Sequence, residues 1–455
     1  MLFPKCDVRA LTLATLLFLT LGRSAPVWGQ TSSQPAVMTL DQAIAIAVDS
    51  NRVVKVKALD VAKADHDLAA LKTRRRPSFD VKTLDGTLAA PMTFLYKMGS
   101  FGTFPNLGPV PAQDTPITSD PRLSAILLAQ VAQPLTQLRT IGFGVRALEV
   151  GRDLAREEIR AEQQTVVHNV KRLYYGLFEA QGGLAANEEA LALYRELDRI
   201  VGEYVDRQVA LPAEGLTVKT ALAKQALTSV TLRNTMATLK EQLNLLLGRD
   251  LNVDFTPAPP PMVTTFEADV VPAQNQALER RPEVREARLK AQQAEYDLQR
   301  TKSAAIPEVS VAFSYLGFYN FEVLPKNGAM VGVFANWEPW DWGRRREEAA
   351  SKNGTLEQAR LAVKEVEDSV RVDVSDKVRK ARQAGAMLRV LELGQQTARE
   401  KLRVATDQYR QQATLQRQAL EAQAASADAD QQYRHGLAAF WTARAEFEKA
   451  IGDDQ

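Results

Sequence analysis

Three histidines, one cysteine and several adjacent carboxylates are the side chains in this chain that could bind a metal or move protons. His66, His168 and His435 stand far apart and show none of the short spacings that a zinc site requires. Cys6, the only cysteine, lies ahead of an apolar run at the N-terminus, so no disulfide framework is available to the rest of the chain. Glu157-Glu158 and Glu347-Glu348 have the composition of general acid–base pairs, but both sit in charged helical stretches where a solvated face accounts for them. No glycine-rich phosphate loop is present. The expectation is a protein that is not an enzyme and holds no cofactor or metal. Two arginine triplets, Arg74-Arg75-Arg76 and Arg344-Arg345-Arg346, fall where helix meets strand; phospholipid headgroups and a solvated turn both answer to them.

With little chemistry to position, the elements themselves carry the information, and the chain is written twice. Residues 47–81 align without a gap on 277–311, always 230 positions apart, with nine identities in 35 that include Asp67/Asp297, Leu68/Leu298, Lys72/Lys302 and Pro77/Pro307. Further on, Leu211/Leu415, Leu216/Leu420 and Gly248/Gly452 pair at a constant offset of 204. Each half reads as helix, strands, long helix, return helix, and repetition on this scale points to an assembly built by stacking. The expected divisions are a signal peptide at 1–29, a first structural repeat at 30–249, a proline-rich linker at 250–272 and a second repeat at 273–455.

The leader rests on Lys5 and Arg9, an apolar run over 11–21, and the small residues Val27 and Gly29 before Gln30. A membrane anchor is the weaker reading, because the run falls short of the ~20 residues a spanning helix needs. Removing Lys5, Arg9, Arg23 and Asp7 with the leader leaves 54 basic and 54 acidic side chains, a balance with no electrostatic case for nucleic acid. No later segment carries 18 apolar residues in a row, so any entry into a membrane must be as strands.

Strands are readable after each helix-stopping proline. Past Pro77 the pattern becomes alternating, with Phe79, Val81 and Thr83 opposed to Asp80 and Lys82. Past Pro307 it repeats, with Val309, Val311, Phe313 and Tyr315 opposed to Ser310, Ala312 and Ser314. Returning strands are expected at 122–133 and 330–337. Four strands of about ten residues match the length of a tilted outer-membrane strand. They cannot close a barrel alone, and an open edge cannot sit in lipid, so several copies must pool their strands. Aromatics bracket the span: Phe94, Tyr96, Phe101 and Phe104, with Phe318, Tyr319 and Phe321, in the loops at one end, and Trp337, Trp340 and Trp342 at the other. Interfacial girdles need this placement, although core packing is open to any one of them.

Beyond Pro134 and Pro339 the chain turns helical, and the stretch 144–209 alone would run about 100 Å. Val166, Val170, Leu173, Leu177, Leu184 and Leu191, then Leu232, Met236, Leu239, Leu243 and Leu246, carry coiled-coil spacing. A pre-strand helix over 53–75 and a return helix over 214–248 sum to about 87 Å, so two short helices stacked end to end could flank one long one. Gly182-Gly183 weakens the long helix by about 1 kcal/mol per glycine, which predicts a bend or a crossing contact there.

On these residues the chain resembles the TolC-like outer membrane efflux proteins. The resemblance covers nearly all of it after the leader. Its marks are the duplicated helix ending in Pro77 and Pro307, the strand-to-helix phrases at 127–135 and 337–343, and Leu243-Asn244-Leu245-Leu246-Leu247-Gly248. What it implies is a mainly α fold with a small β part: long coiled-coil helical hairpins plus four strands per protomer. A homotrimer pools these into a 12-stranded outer-membrane β-barrel and a periplasmic α-helical tunnel. The partners implied are a periplasmic adaptor, an inner-membrane pump and outer-membrane lipid, with cargo passing unaltered. The implied adaptor-contacting tips are Leu211, Pro212 and Ala213, and Ala413, Thr414 and Leu415. Where the family reads Tyr-x-x-Gly and then two acidic aperture residues, this chain has Tyr409, Gln412, Gln418 and Glu421, so three copies would set one ring of glutamates. An ordinary solvated position for Glu421 stays open. Methionine and histidine do not cluster, which disfavours a dedicated metal exporter. A protein-secretion duct and a soluble periplasmic coiled-coil scaffold remain the alternatives.

Overall fold

The structure is a computed structural model that describes residues 36–87, 90–119, 122–259, 266–321, 325–411 and 416–453. The expected leader lies outside these residues, as do Ala413, Thr414 and Leu415.

The first repeat opens with β1 (Ala36–Met38) and α1 (Leu40–Ser50). Thr39 begins α1 with a capping box: its hydroxyl accepts from the Gln42 amide while the Gln42 side chain accepts from its own amide. α2 (Arg52–Thr73) starts one residue later at Asn51, whose Oδ1 accepts from the amides of Val53 and Val54. Pro77 then forbids helix, and the chain extends into β2 (Ser78–Thr87). An outlying arm follows, made of β3 (Met92–Tyr96), β4 (Thr103–Phe104), β5 (Gly108–Pro109) and β6 (Thr115–Ser119), with β3 paired to β6 and β4 to β5. β7 (Leu123–Pro134) returns antiparallel to β2 and feeds α3 (Gln137–Asp206). α4 (Pro212–Leu246) runs back, and β8 (Phe255–Pro257) lies parallel to β1.

The second repeat is α5 (Val270–Arg280), α6 (Pro282–Ser303), β9 (Glu308–Tyr319), β10 (Asn327–Asn336), α7 (Arg344–Arg410) and α8 (Gln416–Ala450). Boundaries move by a few residues from those expected. α3 begins seven residues before Gly144, and Trp337 falls just past β10 rather than inside it. Phe255 is fully buried and β8 is hydrogen-bonded to β1, so part of the 250–272 stretch belongs to the core, and α5 begins inside it.

β2, β7, β9 and β10 form one antiparallel sheet in the order β10-β9-β7-β2. The helices repeat that order. α2 and α4 pack on α3, α6 and α8 each pack on both α3 and α7, and each strand is continuous with its column through α2→β2, β7→α3, α6→β9 and β10→α7. Thr136 ties the two halves where sheet becomes helix: its hydroxyl donates to the Pro307 carbonyl and accepts from the Val309 amide. The stacking of α2 and α4 along α3 is the arrangement expected from their lengths. α3 passes Gly182-Gly183 as unbroken helix, because Gly182 receives Arg434 of α8 and Gly183 receives Leu232 of α4. A close crossing contact on each side is what those glycines permit.

The main core gathers Val166, Val170, Tyr174 and Leu177 of α3 with Ala43 and Ala47 of α1, Leu243 of α4 and Phe440 and Trp441 of α8. A second cluster joins α5, α6, α7 and the end of α8, and a third, near the far end of α3, joins Tyr194, Leu197, Val201 and Val218 with Tyr409 and Leu420.

Candidate functional site

The pairing register sorts the sheet into two faces, because residues directly opposite each other point the same way. Val331, Phe313, Val131 and Phe79 form one cross-strand row, and Ala329, Tyr315, Ala129 and Val81 the next on that face. The opposite face carries Met330, Ser314, Gln130 and Asp80 in one row and Gly332, Ala312, Ala132 and Ser78 in the next. Over these rows, at the helix-facing half of the sheet, the first face is apolar and the second is small or polar apart from Met330, whereas towards the loops Leu128, Leu316, Ile126 and Leu84 fall on the second face. The helix-facing half has the pattern of a strand array with lipid outside and water inside. Phe79, Val81, Val331 and Val333 are largely exposed, with Phe79 at 77%. β2 and β10 each use only one of their two hydrogen-bonding edges. No helix among the described residues is long and apolar enough to cross a membrane.

Three tryptophans mark the helix end of this sheet. Trp337, Trp340 and Trp342 are all exposed, Trp342 at 91%, and the last two meet edge to face with centroids 5.8 Å apart. Trp342 holds the left-handed φ of 54° and Gly343 follows at 87°, a turn a bulky residue adopts only when something fixes it. Asp341 fixes it: its carboxylate accepts from the Gly343 and Arg345 amides at 3.1 Å each and pairs with the Arg345 guanidinium. The Arg345 amide, then the Gly343 amide and the Arg345 and Arg344 charges, hold the Asp341 carboxyl below its usual value.

At the other end the register separates the expected aromatics. Phe318 lies opposite Ile126, which lies opposite Leu84, so it shares the face of Ser314 and stacks edge to face on Phe321. Tyr319, one residue on, has the parity of the apolar face and is exposed. Phe94 sits opposite Ile117 on the β3–β6 arm, away from the four-stranded sheet. The sequence signal for Tyr319 was the strand alternation itself, carried one residue further.

The first helical tip turns through Gln208, at φ 60°, with the Val209 and Ala210 amides both on the Tyr204 carbonyl. Val209, Leu211 and Leu216 project from it, the first two 74% and 67% exposed, and Pro212 and Ala213 are exposed beside them. Gln418 and Glu421 are exposed on α8, three positions apart and so on one helix face, while Ala419 is buried and Leu420 packs on the tip cluster beside Tyr409.

The histidines do not converge: the His435 ring meets Glu179 at 2.9 Å, and His168, on α3, is held below its usual pKa by burial and by Lys449. No cluster of three or more metal-ligating side chains occurs among the described residues.

Residues 273–453, the second repeat, match the outer membrane efflux protein family. The chain is similar to the outer membrane efflux protein family over this repeat. Its first repeat carries the same order of helix, strand pair, long helix and return helix. Among solved structures the chain is similar to the outer-membrane channel OprN, at 16% identity over 91% of this chain and 89% of that one, TM-score 0.74. It is similar to the Campylobacter jejuni CmeC outer membrane channel, at 14% identity over 97% and 94%, TM-score 0.74. The open state of the Neisseria gonorrhoeae MtrE outer membrane channel aligns at 14% identity over 91% and 88%, TM-score 0.72. At these identities the likeness is one of fold. No curated protein sequence matches it.

Proposed function

We propose that three copies of this protein close a 12-stranded barrel in the outer membrane, continuous with a periplasmic tunnel of α-helices, and that the assembly is a passive duct. Cargo reaches it from an inner-membrane pump through a periplasmic adaptor and leaves unaltered.

One observation carries the reading. A sheet whose helix-facing half exposes an apolar face, with Phe79, Val81, Val331 and Val333, ends in two unpaired edges, β2 and β10, which lipid does not tolerate. β2 and β10 run in opposite directions, so β2 of one copy can pair antiparallel with β10 of the next, and an even number of strands follows for any number of copies. The helical layer makes the same demand. Val53, Val56 and Leu59 of α2, Leu227 and Val230 of α4, and Val372, Val390 and Leu393 of α7 are exposed on the outer columns. α7 spans about 100 Å by its 67 residues, far more than a globular core.

The first tip, with Val209, Leu211, Pro212, Ala213 and Leu216, is the surface an adaptor would cover, together with Ala413, Thr414 and Leu415 of the second. Glu421, with Gln418 one turn before it, would ring the aperture. Such a duct suits small molecules and secreted polypeptides alike, because pump and adaptor select what enters. A soluble scaffold is disfavoured by the exposed apolar rows on both edge strands. Fractionation of the native host, detergent extraction and mass measurement of the unheated complex test the proposal. A detergent-dependent trimer from the outer membrane is expected; a water-soluble monomer or dimer overturns it.

A further inference from the structure

The two arginine triplets lie at the same end of the sheet but in different electrostatic surroundings. Arg344 pairs with Glu338 and Glu348, and Arg345 with Glu338 and Asp341, so the charge of the second triplet is largely answered within the protomer. Arg74, Arg75 and Arg76 are all exposed, and none makes an ion pair among the described residues. Their neighbours add to the charge. The Arg75 carbonyl accepts from the Gln133 side chain, which ties the triplet to the end of β7, and the Arg75 guanidinium lies over Gly142 of α3. One turn before Gly142 is exposed Arg139, which lies with Arg146 over the Phe143 ring. The first carboxylate of β2, Asp80, has the parity of Ser314 and Gln130 and points away from the face of Phe79.

This unanswered charge borders the membrane face directly. Ser78 opens β2 immediately after Pro77, and Phe79 begins the exposed apolar row. In sheet order β2 is one edge and β10 the other, and the start of β2 and the end of β10 lie at the same, helix-facing end. Closure of the barrel therefore sets Arg74, Arg75 and Arg76 of one copy beside Trp337, Trp340 and Trp342 of the next. Guanidinium groups bind phosphate bidentately, and indole rings settle at the ester level of a bilayer. Each protomer contributes half of such a site, and neither half is complete alone.

We propose that each junction between copies is a binding site for the phosphate of anionic phospholipid in the periplasmic leaflet, with Arg74, Arg75 and Arg76 holding the headgroup and the neighbouring tryptophans the glycerol region. This rests on the trimeric barrel proposed above. The charge favours lipid over a free anion because it adjoins an apolar surface continuous with the sheet.

The site carries its own probe. Trp337, Trp340 and Trp342 are exposed at it, whereas Trp441 is buried against Tyr175 and Phe440. The trimer is reconstituted in phosphatidylcholine bilayers containing a minor fraction of phosphatidylglycerol, with bromine placed on the acyl chains of one lipid or the other. Brominated phosphatidylglycerol is expected to quench the tryptophans in excess of its mole fraction, at a relative affinity above about fivefold. The triple variant Arg74→Gln, Arg75→Gln, Arg76→Gln is expected to lose that excess while remaining quenched by brominated phosphatidylcholine. Equal quenching by both lipids in the unaltered protein, or an excess that survives the triple variant, overturns the lipid site while leaving the barrel intact. Quenching by neither lipid overturns the barrel itself.

Discussion

Asn51 and Arg281 occupy the same place in the two repeats, between the first and second helices, and hold it by different chemistry. Asn51 caps α2 with its Oδ1 and donates from Nδ2 to the Leu246 carbonyl at 2.9 Å, closing the end of α4. Arg281 reaches Glu283 at 3.2 Å and Asp373 of α7 at 2.6 Å. Duplication preserved the joint, and each copy then fastened it to a different long element.

Asn51→Ala removes a cap and leaves the Leu246 carbonyl without its donor in a place that is 4% exposed at Asn51. The expected loss is about 2 kcal/mol, read as a lowered unfolding midpoint of the detergent-solubilised protein. An unchanged midpoint would show that the joint is held by packing alone.

The second joint should depend on pH where the first does not. Burial pushes the Glu283 carboxyl up, but the Arg281 guanidinium beside it outweighs burial and leaves the group below its ordinary value. A depressed folded pKa contributes stability that is complete above the unfolded value of about 4.3 and is lost as pH falls through the folded value. Acidification below about pH 4 should therefore loosen α5 and α6 from α7, and Glu283→Gln should flatten that part of the profile. Hydrogen exchange resolved to α1 and α5 reads the difference.

Gly248 follows α4 at φ 67°, and a Cβ on it would lie 2.5 Å from the Ser50 carbonyl oxygen. Gly248→Ala combines a left-handed backbone with a clash against main chain, and a loss of about 3 kcal/mol is expected. Gly354 of α7 has nothing within 4 Å of such a Cβ, and Gly354→Ala should raise helix stability by about 1 kcal/mol. Opposite signs in a melting comparison check both.

If Glu421 rings the aperture as proposed, Glu421→Gln should lower the cation preference of the single channel in planar bilayers, because three facing carboxylates would attract cations while repelling one another. Gln418→Ala, one turn away and uncharged, should leave selectivity alone. Identical selectivity in the unaltered and Glu421→Gln channels would remove Glu421 from the aperture.

Val209→Asp with Leu211→Asp replaces the apolar crown of the first tip while the buried cluster of Tyr194, Leu197, Val201 and Val218 beneath it stays intact. Trimers of normal mass that no longer co-purify with the adaptor are expected after mild cross-linking. Retained adaptor would move the contact off this tip.

Much of this architecture was legible because the duplication gave two readings of each boundary. Pro77 and Pro307 placed the helix-to-strand changes, and the alternation from Phe79 and Val309 held through the strands. The start of α3 was hidden by glycine. Gly144 reads as a helix breaker, yet a Cβ there would come 3.2 Å from Leu71, so α2 can approach only where the side chain is absent. β1 and β8 have three residues each, too short for any periodicity, and their parallel pairing spans more than two hundred positions. The two-sided Arg74 surroundings were equally invisible, since charge pairing depends on which carboxylates the fold brings near. Trp342 was recognisable as an aromatic, but its left-handed turn depends on the Asp341 carboxylate two hydrogen bonds away from being an ordinary loop.

The matching order of strands and helix columns has a consequence for biogenesis. A protomer meets the periplasm with both its strand borders and both its helix flanks unsatisfied, so neither layer can reach its final state ahead of the other. On the trimer proposed above, barrel insertion and tunnel assembly are expected to be one concerted event requiring three chains at once. The yield of finished channel should rise more steeply than the first power of the supply of secreted chain, and a shortage of it should leave adhesive monomers rather than half-built pores.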